Sequence, residues 1–313
     1  MSRPALSAGH AAEQTVGHAA GHAIAPPQAA RLVRIAHEAS GITFGPGKID
    51  FLRGRLTPRL EALGCRDFDA YLNRLESAEG EAERQHLVEA LTTHTTSFFR
   101  ESRHFDWLRT EGLAALIARG VGVERDLVLW SAACSTGAEL WTASMLLAST
   151  EVPGGAPLAW QGVGSDISTK ILRRASTAIF SEEEVARIPE DLRRRFLLRS
   201  RAGGEGGTAT ADSANLRASA RARYKIVPEL RARCRLLQMN LLALEGAPRF
   251  TADVVLLRNV LIYFSQEDQH RVASAVAARL APGGFLLTGH AEPLRQTVPG
   301  LRAVDTAIYT KTG

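Results

Sequence analysis

The sequence predicts an α/β domain with a mostly parallel sheet, preceded by a smaller all-helical domain. Apolar residues recur at helical spacing over residues 28–119. From residue 120 onward, apolar runs of strand length alternate with helical patterns, which is typical of parallel sheets. The chain of 313 residues is long enough for one large or two smaller domains.

The composition is that of an ordinary globular protein, with 45% hydrophobic and 23% charged residues. The net charge of +5 permits an acidic partner, but arginines are spread along the chain, so we expect no nucleic-acid partner. Cys65, Cys134 and Cys234 are too far apart for a disulfide framework or a zinc knuckle. No apolar run approaches the roughly 18 residues of a membrane span, and no signal-peptide core is visible. We expect a cytoplasmic, metal-free monomer that does not insert into membranes.

Residues 1–27 are rich in alanine, glycine and histidine and lack a core pattern, which predicts a disordered tail. His10, His18 and His22 could bind a metal, but no acidic or cysteine co-ligands accompany them. A flexible tail without metal is the better interpretation.

Residues 28–119 predict a helical domain followed by a linker. Three apolar stripes mark the first three helices: Leu32, Ile35 and Ala36; Leu52, Leu56, Leu60 and Leu63; and Phe68, Tyr71, Leu72 and Leu75. Gly41 should end the first helix. Pro58 should either kink the second helix or restart it with Thr57 as its cap.

Three arginines, Arg53, Arg55 and Arg59, flank the leucine stripe of the second helix. Such arginines usually form a solvated helix face. The alternative is a docking surface for an acidic helical substrate.

Residues 92–101 are a polar stretch of four threonines, a serine and His94, closed by two phenylalanines and Arg100. Threonine and serine favour caps and loops, so a helix should end here. A linker anchored by the two aromatic rings is the simplest interpretation, and Ser102 should cap the helix that follows.

Residues 126–130 form an apolar run that suits a strand buried on both faces. Small residues and Gly137 follow, and then a helical pattern with Glu139 in its first turn. A strand that turns on small residues into a helix leaves room for a ligand near the backbone. Residues 160–167 predict a second parallel strand ending in Asp166, where an acid can accept hydrogen bonds from ribose hydroxyls. No GxGxxG fingerprint precedes it, which disfavours a nicotinamide enzyme.

Residues 181–240 interrupt the alternation and predict a small β-rich insertion. The glycine-rich residues 203–207 should form a flexible loop, and residues 222–227 and 234–238 alternate like short strands. The free edge of the stretch from 222 to 238 could bind an extended peptide as an added strand.

The C-terminal part completes the predicted sheet. Residues 252–257 form a buried strand, and residues 266–280 form a helix that stops at the Pro-Gly-Gly of 282–284. Residues 285–292 and 304–310 predict the remaining strands. This order of elements is the layout of nucleotide-type methyltransferase sheets.

Several motifs then occur in one order along the chain. They are Leu91-Thr92-Thr93 with Thr96; Phe98-Phe99-Arg100-Glu101 and Phe105; Trp130-Ser131-Ala132-Ala133 with Ser135-Thr136-Gly137; Asp166-Ile167; Asn240-Leu241-Leu242; Arg258-Asn259 with Ile262-Tyr263-Phe264; and Gly289-His290 with Glu292. In these motifs, which cover about residues 30–311, the chain resembles the CheR family of chemotaxis-receptor protein-glutamate O-methyltransferases. The resemblance implies a helical domain (28–119) and a Rossmann-like S-adenosylmethionine-dependent methyltransferase domain (120–313) with a seven-stranded sheet and a small β-subdomain.

The resemblance also implies site residues. The cofactor site would be lined by His94, Thr96, Arg100, Glu139, Asp166, Asn240, Leu241, Arg258 and Asn259. Arg100 and Tyr263 would face the substrate carboxylate as the catalytic residues. Simpler alternatives stay open, since Arg258 could pair with Asp253 or Glu292, and Tyr263 could be a core residue.

The chain departs from the family pattern in four places. His94 stands where the family usually has asparagine, Ala138 where it has an acid, Leu140-Trp141 where it has Pro-Tyr, and Ser168 where it has a second aspartate. His94 can still donate a hydrogen bond, although its charge varies near neutral pH. Because Ala138 and Leu140 adjoin Glu139, cofactor affinity is the property that these changes affect most.

The function that the resemblance implies is methyl transfer from S-adenosylmethionine to glutamates on the cytoplasmic helices of chemoreceptors, with S-adenosylhomocysteine as the product. A glutamate carboxylate is anionic at pH 7, so the reaction needs positioning and no general base. Two alternatives stay open: a non-catalytic cofactor-sensing or receptor-docking module, and a methyltransferase for a small molecule or nucleic acid. Base-amino methyltransferases commonly carry Asn/Asp-Pro-Pro-aromatic where this chain has Arg258-Asn259-Val260, which weighs against that class.

Overall fold

The computed structural model describes residues 22–45, 47–200 and 222–313. The first domain consists of α1 (Pro26–Ser40), α2 (Ile49–Leu63), α3 (Phe68–Glu76) and α4 (Glu81–Leu91). The three predicted apolar stripes lie in or against one core. Gly41 ends α1 with a φ of 76°, a left-handed conformation that glycine adopts without steric cost. The second helix runs through Pro58 without restarting.

Two expectations lie outside the described residues. One is most of the disordered tail expected over residues 1–27, namely residues 1–21 with His10 and His18, and the other is the flexible loop at residues 203–207. The expected end of the tail is wrong, because Pro26 and Pro27 belong to the first turn of α1.

The linker after α4 leads into an irregular helical segment. This segment consists of α5 (Arg103–Trp107), a π-helical turn (Leu108–Gly112) and α6 (Leu113–Ile117). Ser102 occupies the N-cap position, but its side chain makes no capping hydrogen bond. Phe98 and Phe105 are buried in the same core as Leu127 and Leu129 of the first strand, so the linker is fixed to the sheet domain.

The second domain has ten strands among the described residues. They are β1 (Leu127–Ala132), β2 (Trp160–Asp166), β3 (Ile179–Ser181), β4 (Leu197–Arg199), β5 (Arg223–Ile226), β6 (Cys234–Gln238), β7 (Ala252–Leu257), β8 (Leu280–Thr288), β9 (Leu301–Asp305) and β10 (Ile308–Lys311). Seven of them form one sheet in the order β6-β2-β1-β7-β8-β10-β9, in which only β10 runs antiparallel to its neighbours. Chain order reverses between β2 and β7 around β1, and ligands of open α/β sheets bind at such a reversal.

Helices connect the strands of the second domain. They are α7 (Ala138–Ala148), α8 (Thr169–Thr177), α9 (Glu182–Val185), α10 (Glu190–Phe196), α11 (Pro228–Ala232) and α12 (Gln266–Ala278), with 3-10 turns at Leu241–Gly246 and Leu261–Tyr263. Within the described ranges, no helix is both long enough and apolar enough to cross a membrane.

The expectation that residues 234–238 belong to the small β-rich insertion is wrong. They form β6, which pairs in parallel with β2 from Gly162–Cys234 to Asp166–Gln238. The small antiparallel sheet has the order β3-β5-β4, so β5 has a partner on each side and offers no free edge. An edge strand of a large sheet and a strand of a small sheet show the same alternation, and periodicity therefore could not separate them.

Two boundaries near the C-terminus also differ from the expectation. The helix α12 ends at Ala278, and Pro282-Gly283-Gly284 lie inside β8, in an irregularity where the pairing with β7 jumps from Leu280 to Phe285. The single strand expected over residues 304–310 is an antiparallel pair, β9 and β10.

Candidate functional site

An open cavity lies beside the carboxyl ends of β1, β2 and β7, the edge at which ligands of open α/β sheets bind. The helical domain and linker supply one wall: Ser40, Ile42, Leu91, Thr92, Thr93, His94, Thr95, Thr96, Ser97 and Arg100. The sheet domain supplies the other: Ala133, Cys134, Ser135, Glu139, Asp166, Ile167, Met239, Asn240, Leu241, Arg258, Asn259, Val260, Tyr263 and Phe264. The cavity therefore lies where the two domains meet.

Every residue that the sequence analysis assigned to cofactor binding or catalysis lines this cavity. They are His94, Thr96, Arg100, Glu139, Asp166, Asn240, Leu241, Arg258, Asn259 and Tyr263. Their roles remain predictions, because lining a cavity does not by itself define a contact with a ligand. Ser40 and Ile42 were not expected in the site, and they reach the cavity only because the end of α1 packs against the sheet domain.

The backbone is unusual around the cavity. Five of the seven described non-glycine residues with positive φ lie in its walls or in the adjoining linker, with φ between 51° and 62°: Phe99, Glu101, Ala133, Ser135 and Asn259. Side chains rarely tolerate this conformation, and residues that adopt it cluster at functional sites. The strained positions mark the strand ends as the functional edge of the sheet.

Asp166 ends β2 with both carboxylate oxygens held by backbone. Its Oδ2 accepts a hydrogen bond from the Ser135 N–H at 3.0 Å, and its Oδ1 accepts one from the Ser168 N–H at 3.0 Å. Burial raises the pKa of this carboxyl, and the two backbone hydrogen bonds and the neighbouring His94 oppose that rise. Each carboxylate oxygen has a second lone pair, so Asp166 can still accept a hydrogen bond from a ligand.

His94 lies in the linker wall of the cavity. Its Nε2 and the Thr92 hydroxyl are 2.9 Å apart, and its carbonyl accepts a hydrogen bond from the Ser135 hydroxyl at 3.0 Å. Burial lowers the pKa of the imidazole, although the negative charge of Asp166 opposes this. The lowered pKa favours the neutral imidazole at pH 7, so His94 can replace a neutral hydrogen-bonding residue without adding charge.

Arg258 is the buried centre of the site, with a side chain only 1% exposed. Its Nη1 donates to Glu139 Oε2 at 2.9 Å, and its Nη2 donates to the Arg100 carbonyl at 2.6 Å and to Glu101 Oε2 at 3.2 Å. Its Nε donates to His104 Nδ1 at 3.1 Å. One cation thus joins the strand β7, the helix α7 and the linker.

The alternative in which Arg258 pairs with Asp253 or Glu292 is wrong. The Asp253 carboxylate accepts hydrogen bonds from both terminal nitrogens of Arg125, at 2.6 and 2.9 Å. Glu292 accepts the backbone N–H of Asn259 at 2.5 Å and so ties the end of β7 to the end of β8.

Glu101 is a site residue to which the sequence analysis gave no role. Its carboxylate accepts hydrogen bonds from Asn259 Nδ2 and from the His290 N–H, both at 3.1 Å, besides the one from Arg258. Burial alone would raise its pKa, but these hydrogen bonds and the positive charge of Arg258 lower the pKa to about 2. In the sequence, the place of Glu101 beside Arg100 in one motif was the signal that could have identified it as a site residue.

The helical domain is joined to the cavity by specific backbone contacts. Asn240 Nδ2 donates to the Ala39 carbonyl at 3.1 Å. The Thr43 N–H and hydroxyl both donate to the Tyr263 carbonyl, at 2.7 and 3.0 Å. A side chain at Gly41 would collide with Leu242, so the turn after α1 can approach the sheet domain only with glycine there.

The three arginines along α2 have different environments. Arg59 makes a two-point ion pair with the buried Glu83, at 2.9 and 2.6 Å, and so stabilises the helical domain. Arg53 and Arg55 are exposed. Arg53 pairs with the exposed Asp50 at 2.8 Å, and the guanidinium of Arg55 lies 5.3 Å from the centre of the Phe51 ring. The docking role of all three arginines stays a prediction, and Arg53 and Arg55 are the two that solvent and a partner can reach.

The comparisons with known proteins agree with this architecture. The family model described as "CheR methyltransferase, all-alpha domain" matches residues 28–92, and the model described as "CheR methyltransferase, SAM binding domain" matches residues 94–309. A chemotaxis protein methyltransferase of Escherichia coli is 33% identical over 84% of this chain and 82% of its own length. Chemotaxis protein methyltransferase 2 of Pseudomonas aeruginosa is 32% identical over 87% of this chain and 88% of its own. The chemotaxis protein methyltransferase of Salmonella typhimurium is 31% identical over 89% and 88%, respectively.

The match of both family models confirms the resemblance that the motifs indicated, including an all-helical domain followed by a cofactor-binding domain. The seven-stranded, mostly parallel sheet agrees with it. The chain therefore belongs to the CheR methyltransferase family, and its cofactor is S-adenosylmethionine.

Proposed function

We propose that the protein transfers the methyl group of S-adenosylmethionine to glutamate side chains of chemoreceptors, giving glutamate methyl esters and S-adenosylhomocysteine. The observation that carries the proposal is the placement of Arg100 and Tyr263 in the walls of one cavity together with Asp166 and Glu139. A cation and a phenol suited to an anionic substrate thus share a pocket with carboxylates suited to a cationic, ribose-bearing cofactor.

The polar groups that line the cavity fit the cofactor. In the proposal, Asp166 accepts hydrogen bonds from its ribose hydroxyls, as an acid at the second strand end does in nucleotide-binding sheets. Glu139 provides negative charge for its cationic groups, although burial raises the pKa of this carboxyl, with Arg258 and Ser131 opposing the rise. The strand ends with positive φ at Ala133 and Ser135 supply backbone close to the ligand.

The reaction requires little from the protein beyond positioning of the substrate carboxylate and the cofactor. When bound, the cofactor supplies a methyl group activated by a sulfonium. A substrate glutamate is already ionised at pH 7, so its oxygen needs orientation and not deprotonation. Tyr263 has its backbone fixed by Thr43, and Arg100 has one donor bound to the Thr95 carbonyl at 2.9 Å. We propose that these two side chains hold the carboxylate in line with the methyl group.

Replacing Asp166 by alanine should weaken cofactor binding by about 1.5–3 kcal/mol, the usual cost of a lost hydrogen bond to a charged group. Isothermal titration calorimetry with S-adenosylmethionine measures this directly. The matched control is Asp126→Ala, since Asp126 is an exposed aspartate immediately before β1, at the opposite end of the sheet. Equal affinities for Asp166→Ala and wild type would overturn the assignment of Asp166 to the cofactor.

Reversing the charges of Arg53 and Arg55 to glutamate should slow receptor methylation by about tenfold at low salt, because steering of an acidic partner is lost. The salt dependence of the rate should fall as well. Cofactor affinity should not change, since neither residue lines the cavity. Arg66→Glu is the control, because Arg66 is also exposed and in the same domain. If methylation is as fast as in wild type, the two arginines are only a solvated face.

The proposed reaction is tested with methyl-labelled cofactor and cytoplasmic fragments of candidate chemoreceptors. Receptor-dependent label that alkali releases as methanol identifies a carboxylate ester. Receptor fragments with the methylated glutamates changed to alanine serve as the control. Cofactor binding without transfer to any receptor fragment favours the non-catalytic module, and transfer to a small molecule or nucleic acid favours the third alternative.

A further inference from the structure

The loop that follows Asp166 is held by the helical domain. Residues 167–170 lead from β2 into α8 and lie against α4. Gln85 and Glu89 are four residues apart on α4, so they share one face of that helix. Gln85 Nε2 donates to the Ile167 carbonyl at 3.0 Å. Neither Gln85 nor Glu89 lines the cavity.

Glu89 reaches the N-terminus of α8. Its Oε1 accepts hydrogen bonds from the Thr169 hydroxyl at 3.0 Å and the Lys170 N–H at 3.3 Å. The first turn of α8 contains no acidic residue, and its N-cap, Ser168, is uncharged. A negative charge at a helix N-terminus is stabilising, and here α4 of the other domain supplies it. Glu89 is only 13% exposed, so solvent screens this interaction weakly.

A short chain of contacts connects Glu89 to Asp166. The Ser168 hydroxyl lies 3.5 Å from Glu89 Oε1 and accepts the Ile171 N–H at 3.2 Å. The N–H of the same Ser168 donates to Asp166 Oδ1. A displacement of this loop away from α4 therefore moves a hydrogen-bond donor of the Asp166 carboxylate.

We propose that Glu89 and Gln85 are positioning residues of the cofactor site. They fix the loop after β2 from the helical domain, and so orient Asp166 for the ribose without touching the cofactor. The proposal rests on the proposed role of Asp166. It makes cofactor affinity a property of the contact between the two domains and not of the sheet domain alone.

The test is a set of cofactor titrations with variants of α4. Glu89→Ala should raise the dissociation constant and the KM for S-adenosylmethionine by about fivefold to tenfold and leave kcat near the wild-type value. Glu89→Gln keeps an acceptor oxygen but loses the charge, so it should restore part of the affinity. Glu81→Ala is the matched control, because Glu81 is on the same helix with a side chain 88% exposed. Thermal unfolding of each variant identifies any loss of folded protein.

A double-mutant cycle separates this proposal from the function it rests on. In an Asp166→Ala background, Glu89→Ala should cause little further loss, because both changes remove the same interaction. Full additivity, or unchanged affinity in Glu89→Ala, overturns the positioning role and leaves Asp166 as a cofactor residue. No loss in Asp166→Ala overturns the cofactor assignment itself.

A second variant covers the case in which Glu89→Ala does not fold. Gln85→Ala removes the hydrogen bond to the Ile167 carbonyl, so the same loop loses its other contact with α4, and the dissociation constant for S-adenosylmethionine should rise severalfold. Unchanged affinity in Gln85→Ala contradicts the positioning role of that residue.

Discussion

Arg258→Ala should lower the free energy of unfolding by about 3–5 kcal/mol, because removing one partner of a buried ion pair leaves the other charge without compensation. In the native protein the guanidinium binds Glu139, Glu101, His104 and the Arg100 carbonyl. An alanine side chain would leave the carboxylates of Glu139 and Glu101, only 12% and 20% exposed, without the cation that they share. No other ion pair in the described residues joins the linker, α7 and the end of β7.

Urea unfolding followed by circular dichroism measures this loss. Arg34→Ala is the control, because Arg34 and Glu38 form an exposed pair, with side chains 57% and 59% exposed, and such pairs contribute at most about 1 kcal/mol. Arg258→Lys should recover part of the stability, since lysine keeps the charge but lacks the planar fork. If Arg258→Ala is no less stable than Arg34→Ala, the buried network does not stabilise the fold.

The loss of stability caused by Arg258→Ala should be smaller at lower pH. Burial already raises the pKa of Glu139 in the native protein, and removal of the nearby guanidinium raises it further. A carboxyl whose pKa is raised in the folded state destabilises that state at high pH, and the penalty disappears as the pH falls through the raised value. Removal of Arg258 also raises the pKa of Glu101, because its native value of about 2 depends partly on the guanidinium. Glu101 therefore adds to the same pH dependence. The difference between wild type and Arg258→Ala should therefore be smaller at pH 5 than at pH 8.

The central fold was predictable because burial on both faces leaves a plain sequence signal. The runs at residues 127–132, 160–166 and 252–257 consist mostly of apolar or small residues, and each forms a central strand. Partly exposed strands carry a weaker signal. The residues of β6 are all partly or fully exposed, and nothing local shows that their partner is β2, which lies about seventy residues earlier in the chain.

The site was predictable as a set of residues but not as a set of bonds. Motif positions identified Arg258 and Glu139, yet only the tertiary structure shows that they bind each other. The contribution of Glu89 was not accessible either, because its partners lie about eighty residues later and in the other domain. Contacts between distant elements leave no periodic pattern in a single sequence.

Tyr263→Phe should lower turnover by about tenfold to a hundredfold and leave the affinity for S-adenosylmethionine nearly unchanged, since its hydroxyl is expected to orient only the substrate carboxylate. Arg100→Ala should lower kcat/KM by about a hundredfold and also weaken cofactor binding, because a misplaced reactive group costs about that much. Arg103→Ala is the control for a nearby arginine, because Arg103 is 63% exposed and pairs with Asp305.

Single-turnover methylation of a receptor fragment, combined with calorimetry of cofactor binding, separates the two roles. Tyr263 and Arg100 line one cavity but belong to different parts of the chain, and the contact of Thr43 with the Tyr263 carbonyl helps to keep these parts together. For wild type and both variants the rate should fall below about pH 5, where a substrate glutamate becomes protonated. A rate that instead rises with ionisation of a group near pH 7 would show that a general base takes part. Turnover of Tyr263→Phe equal to wild type would remove Tyr263 from the reaction, and the orientation of the substrate would then depend on Arg100 alone.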